Sequence, residues 1–232
     1  MKEGAIWPVS GDGVPARATP RSGAAVPPSH AQERPPPAAR VASTEDLARI
    51  AADQCPDASA EAADWFFGPW ADTALPRSAL AMALANHGLT DRAGETSAER
   101  WLTEATPEDR AAVRAAGRAP LGLWRITRAV GDRVWLEDRI GLAPGWAPDG
   151  PVRWEDAGPS LIGRAVPTAA GWVLTAATAL PTDPPRAQVE RWTGHALAIA
   201  RERRPQVTIE SALARHGDTL CRAAFSHAWG VR

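Results

Sequence analysis

The side chains best suited to chemistry stand near the end of the chain, where His216, Cys221 and His227 follow one another. One thiol and two imidazoles could serve a zinc site or a thiol nucleophile. Their spacing fits no metal motif, and on one continuous helix His216 and Cys221 would stand about 140° apart. The plainer reading is a small buried thiol with histidines at the surface or at helix ends. A second set is acidic. Glu137, Asp138, Glu155 and Asp156 fall at strand ends, where a pair could act as acid and base or hold a divalent ion. Carboxylates in such places are more often solvated turn residues. His87 and His195 lie on helices and read as groups that meet end carbonyls or a neighbouring ring. HExxH, GxSxG, a Walker loop and a strand–GxGxxG–helix pattern are all missing. The sequence therefore assigns no catalytic residue, no metal ligand and no cofactor.

Binding has better candidates. Trp146 sits in IGLAPGWAPDG, a Gly/Pro loop. A large aromatic there either pins the loop to its neighbours or meets a partner. Arg201, Arg203 and Arg204 end a helix that also carries Arg186 and Arg191. Together they offer a phosphate-binding face, and small barrels do bind single strands with aromatics and Arg. Acidic strand ends, and tryptophans that alternate as a core would, argue against that use.

Composition narrows the classes. The formal net charge of -1 gives no sign of a dedicated binder of nucleic acid or anionic membranes. Hydrophobic residues make up 44% and charged residues 23%, the balance of an ordinary folded protein. Lys2 is the only lysine and Tyr is absent, which the codon bias of a GC-rich genome explains more simply than interface chemistry does. Cys55 and Cys221 form no disulfide framework and no C-x-x-C pair. The opening MKEGAIWPVSGDG lacks the apolar run of a secretory leader, and no uninterrupted apolar stretch reaches bilayer-spanning length. These features lead to an expectation of a cytoplasmic chain with no membrane partner.

The elements that must position these groups follow from local signals. Repeated Pro with Gly, Ser and Arg marks residues 1–41 as a disordered Pro-rich tail, because such a segment buries too little apolar surface to offset its ordering entropy. A helical subdomain is expected over 42–118. Ser43 caps STEDLARIAADQC, where Leu47 and Ile50 share a face. AEAADWFFGPW carries a stripe at Ala62, Trp65, Phe66 and Pro69. PRSALAMALANHG presents Leu80, Ala83, Leu84 and His87, with Gly88 as a left-handed stop. A short SAERWLTEA helix precedes the best-signalled one, which Thr106 caps, Pro107 begins and Gly117 closes. A small β unit is expected over 119–180. Gly131-Asp132 marks a tight hairpin, alternation pairs Trp124 with Ile126, Val134 with Leu136 and Val152 with Trp154, and the last strand follows Gly171 after a Pro167–Ala170 linker. Five short strands with brief turns imply a closed or partly closed barrel, mainly antiparallel. C-terminal helices are expected over 181–232, with Val189, Trp192, Ala196 and Ile199 as one stripe and a break at Gly217-Asp218. The fold class is thus α+β.

The order of WFF, a PEDRAAV helix, GLWRI, V-x-L-x-D, SLIGRAVP and GWVL, over roughly Trp65 to Leu180, resembles a group of uncharacterised bacterial proteins that join a helical region to a small β domain. Many of them end in a SEC-C type zinc motif. The resemblance implies the same fold, but the tail here offers only Cys221, so metal binding does not carry over. The stretch Ala157-Gly158-Pro159-Ser160 also departs from the Gly-Asp turn of that group. Taken together, the residues suggest a non-catalytic interaction module contacting another protein through Trp146 and its loop. Nucleic-acid binding through the Arg-rich helix comes second, and a Cys/His-dependent enzyme third.

Overall fold

The computed structural model describes residues 37–54, 64, 76–89, 105–156 and 158–229. Within them the chain runs α1 (Thr44–Gln54), α2 (Arg77–Leu89), α3 (Pro107–Arg118), β1 (Leu121–Val130), β2 (Arg133–Asp138), β3 (Val152–Arg153), β4 (Ser160–Thr168), β5 (Gly171–Leu180), α4 (Arg186–Arg203), α5 (Ile209–His216) and α6 (Asp218–Ala228). Apart from Asp64, which is helical, and Ala105, the segments AEAADWFFGPW and SAERWLTEA lie outside the described residues, as do Cys55 and the tail through residue 36.

Helix starts follow their caps. Ser43 Oγ accepts from the Asp46 amide at 3.0 Å, and Thr106 Oγ1 from the Asp109 amide at 3.2 Å, each meeting an N–H that the first helical turn leaves unpaired. Helix ends depart from the glycine signals. Gly88 lies inside α2, which continues to Leu89, and is not a left-handed stop. A Cβ on Gly88 would come 3.1 Å from Ala51 Cβ, so this glycine lets α1 and α2 approach closely. Helix α3 likewise runs past Gly117 to Arg118 and is capped by Ala119, whose extended backbone leads into Pro120.

The five strands form a closed barrel in the order β1-β2-β3-β5-β4, with β1 paired to β4. All pairings are antiparallel except β3 with β5, which meet at Val152 and Trp172. Closure leaves no open sheet edge in a unit this small. Gly131, at φ 59°, turns β1 into β2 as the hairpin signal implies. The expected linker at Pro167–Ala170 is shorter than read: β4 continues to Thr168 and only Ala169-Ala170 turn the chain. Alternation holds only in part. Leu121, Gly122, Leu123 and Trp124 are all buried, because helix α5 covers the outer side of the strand's start. Trp154 is half-buried and follows the two-residue β3 rather than lying in it.

The register of β4 against β5 slips at Gly163. Ile162 faces Thr178 while Arg164 faces Thr175, so Ala176 and Ala177 together oppose one residue. This is a β-bulge. Ala176 adopts φ 45°, the one positive value among the described non-glycine residues. A Cβ on Gly163 would lie 2.2 Å from Ala177 Cβ, so only glycine fits across from the bulge.

Two cores result. The larger joins barrel residues such as Trp124, Leu161 and Ile162 to Met82 of α2 and to Leu213 and Phe225 of the C-terminal helices. The smaller holds Leu47 and Ile50 of α1, Leu89 of α2 and Val113 of α3, with Ala176 of the bulge. Helix α2 therefore sits between two layers and is buried almost all round. That corrects the one-face reading: Leu80 is 41% exposed, while Ala79, Met82 and Asn86 are buried. The described parts of α1–α3, the barrel and the C-terminal helices fall in one compact unit. The described residues just before α1 also touch the barrel. Ala38 donates to the Pro167 carbonyl at 2.9 Å and bridges to Thr168, and Ala42, fully buried, accepts from Thr175 Oγ1 at 2.6 Å. Among the described residues no helix is long and apolar enough to cross a membrane.

Candidate binding site

The loop between β2 and β3 is held at four points. Asp138 accepts from the amides of Ile140, at 2.9 Å, and Leu142. Glu210, buried on α5, accepts from the Ala143 amide at 2.9 Å. The Trp146 amide closes a turn onto the Ala143 carbonyl at 3.1 Å. At the far end Trp172 Nε1 donates to Asp149 at 2.7 Å. The strand-end carboxylate Asp138 is thus a loop anchor, while Glu137, Glu155 and Asp156 are exposed. Trp146 packs against the larger core, and its indole N–H is buried without an acceptor among the described residues; the same holds for Trp154. Trp146 is thus pinned in its loop and also lines an open cavity.

That cavity measures about 800 Å³. Its walls are the Pro37–Arg40 segment, the side of α3 bearing Ala111, Arg114, Ala115 and Arg118, then Trp146, and Val166-Pro167 of β4. The volume falls within the range of small-molecule sites, about 300–1,000 Å³. Arg40 is held by Asp109 at 3.1 Å. Arg114 and Arg118 are exposed, one turn apart, and have no ion-pair partner among the described residues.

Beneath the Arg118 end lies a buried charge that the sequence does not single out. Arg164 of β4 is 1% exposed. Its Nε donates to Asn86 Oδ1 at 3.0 Å and its guanidinium to the Ala119 carbonyl at 2.6 Å. Burial lowers its pKa to about 10, while Cys221 and Asp218 act to raise it, so it stays charged at neutral pH. The Asn86 amide in turn donates to the carbonyls of Met82 and Ala176, both at 3.0 Å. The bulge therefore aims a carbonyl at α2, and α2 aims a side chain at Arg164.

The remaining candidates are scattered. Cys221 is fully buried, 3.9 Å from Met82 Sδ. Burial pushes its thiol well above the ordinary range, against a partial offset from Arg164, and Asp218 adds to the rise. Such a thiol is a poor nucleophile. His227 is exposed and lies edge-on to Trp192 with centroids 5.6 Å apart, while His216 is half-buried at the end of α5. No group of three or more His, Cys, Asp or Glu among the described residues could hold a metal ion. Arg186, Arg191, Arg201, Arg203 and Arg204 are all exposed. Arg186 is paired with Glu190 at 2.9 Å, and Glu190 and Glu202 interleave with the cations along α4. His87 is buried in α2 and His195 is exposed. A scan against family models, a search of curated proteins and a search of solved structures each find no match.

Proposed function

We propose that this protein is a non-catalytic binding module that works through the Trp146 face of its barrel. The observation that carries the reading is the cavity of about 800 Å³ beside a loop fixed at four points. A preformed, apolar, open site binds without first paying to order its own walls. Nucleic-acid binding through α4 has less support, because Glu190 and Glu202 break its cationic face. An enzyme using Cys221 has less again, because the thiol is sealed in the core. A reduced core thiol suits a cytoplasmic setting, which we take as the location. The likeness to bacterial helical-plus-β proteins stands as a proposal of descent.

A neutral apolar dye, N-phenyl-1-naphthylamine, tests the cavity. The full chain should bind it at one site with enhanced emission, and Ala115→Phe, which fills the cavity from α3, should abolish binding while leaving the thermal midpoint nearly unchanged. Emission that stays flat on the wild-type chain, or binding that survives Ala115→Phe, removes the reading.

A further inference from the structure

We propose that the Trp146 cavity takes an amphipathic carboxylate, with its apolar body between α3 and β4 and its headgroup at Arg114 and Arg118. The inference rests on the cavity being a binding site and adds the class of ligand. Size sets the first limit: the space suits a small molecule with a chain or ring system rather than a folded partner. The walls set the second. Ala111, Ala115, Val166 and Pro167 offer only apolar contact to whatever lies between them.

Charge decides the headgroup. Arg114 and Arg118 stand four residues apart, so their guanidinium groups share one side of α3. Neither is engaged by an acid among the described residues, whereas Arg40 on the opposite wall is already paired with Asp109. The wall residue Ala119 carries the carbonyl that Arg164 holds at 2.6 Å. That bond satisfies one of the bare carbonyls at the C-terminus of α3, which would otherwise repel an anion. It also sets a third guanidinium beneath the same end. Among the described residues of the cavity wall the one acid is Glu108, six residues before Arg114 and about 9 Å away along the helix axis. The two wall cations without an acid partner among the described residues, Arg114 and Arg118, therefore stand away from Glu108, toward the C-terminal end of α3, while Arg40 is neutralised by Asp109. A planar carboxylate matches the two-donor fork of Arg better than a single point acceptor does.

Displacement of the bound dye separates this inference from the reading beneath it. Dodecanoate, below its micellar concentration, should displace N-phenyl-1-naphthylamine at about tenfold lower concentration than dodecanol, the loss expected when a charged hydrogen bond is removed. Arg114→Gln with Arg118→Gln should bring dodecanoate to the level of dodecanol, each read as the concentration that half-displaces the dye, corrected for the variant's own dye affinity. If the two compounds displace the dye equally from the wild-type chain, the carboxylate inference falls and the binding site stands. If the preference survives the double substitution, the headgroup lies elsewhere and the inference also falls. If the dye does not bind at all, the cavity reading fails and takes the inference with it.

Discussion

Arg164 Nε lies 3.0 Å from Asn86 Oδ1, joining the middle of β4 to the buried side of α2. A guanidinium so enclosed is tolerable only while its donors are met, because an unpaired buried charge is among the costliest things a fold can hold. Asn86→Ala removes the acceptor of Arg164 Nε and the side-chain donor to the Ala176 carbonyl, leaving Arg164 with its bond to the Ala119 carbonyl. The expected loss is about 3 kcal/mol in urea denaturation. Arg164→Met combined with Asn86→Leu should lose less than the sum of the two single changes, with a coupling of about 1–3 kcal/mol. Additive losses would mean that the two side chains do not act as a unit.

The alkaline limb of stability isolates Cys221. Tyr is absent and Lys2 is the only lysine, so few other side chains titrate there. The folded chain holds the Cys221 proton far more tightly than the unfolded chain does. That contribution is complete below about pH 8.5 and falls by up to about 1.4 kcal/mol per pH unit above it, as only the unfolded thiol ionises. Arg164 acts with the opposite sign, but only from about pH 10 upward, where the folded state begins to release its proton first. Between these limits the wild-type curve should slope downward more steeply than that of Cys221→Ala. Parallel curves would show that the thiol is not shielded.

The same burial governs reactivity. Peptide mapping after iodoacetamide at pH 8 should find Cys221 unmodified in the native chain and fully modified in urea, since the thiolate is the reacting species. Rapid native alkylation at this position would bring the Cys/His enzyme reading back.

Glu210 is the distant anchor of the Trp146 loop. Glu210→Ala leaves the Ala143 amide without its acceptor, and should cost about 1–3 kcal/mol. Amide exchange across residues 140–149 should quicken, while the β1–β2 hairpin keeps its protection. Glu210→Gln retains a carbonyl at that point and should restore most of the protection. Uniform loss of protection in both variants would indicate global destabilisation instead.

Among the tryptophans, Trp124 and Trp146 should separate. Trp124 is fully buried and its Nε1 donates to the Gly163 carbonyl at 3.2 Å, so Trp124→Ala should cost about 3–5 kcal/mol. Trp146 is half-buried, and Trp146→Ala should cost about 2 kcal/mol while abolishing dye binding. A loop tryptophan free of the core would lose less than 1 kcal/mol, and chemical denaturation distinguishes these outcomes.

The sequence by itself determined the local punctuation and the class of fold. Ser43 and Thr106 start their helices, Gly131 turns its hairpin, and the tryptophan-marked strands form a mainly antiparallel barrel among helices. These depend on hydrogen bonds and backbone angles within a few residues of one another, so the information is written where it acts.

Only the tertiary structure decided the rest, because the deciding contacts join residues far apart in the chain. Arg164 lies 78 positions from Asn86, and nothing in SLIGRAV distinguishes a buried guanidinium from an exposed one. Gly88 reads as a stop yet serves a helix crossing, since a glycine's missing Cβ is as useful for close approach as for a left-handed turn. The sequence leaves Trp146 as a pin for its loop or a contact residue, and it could not show that Glu210, 67 positions away, holds that loop at Ala143. The cavity exists only where residues 37–40, α3, that loop and β4 meet. No window of sequence contains those four pieces together, so the site they form could not be read before the chain was folded.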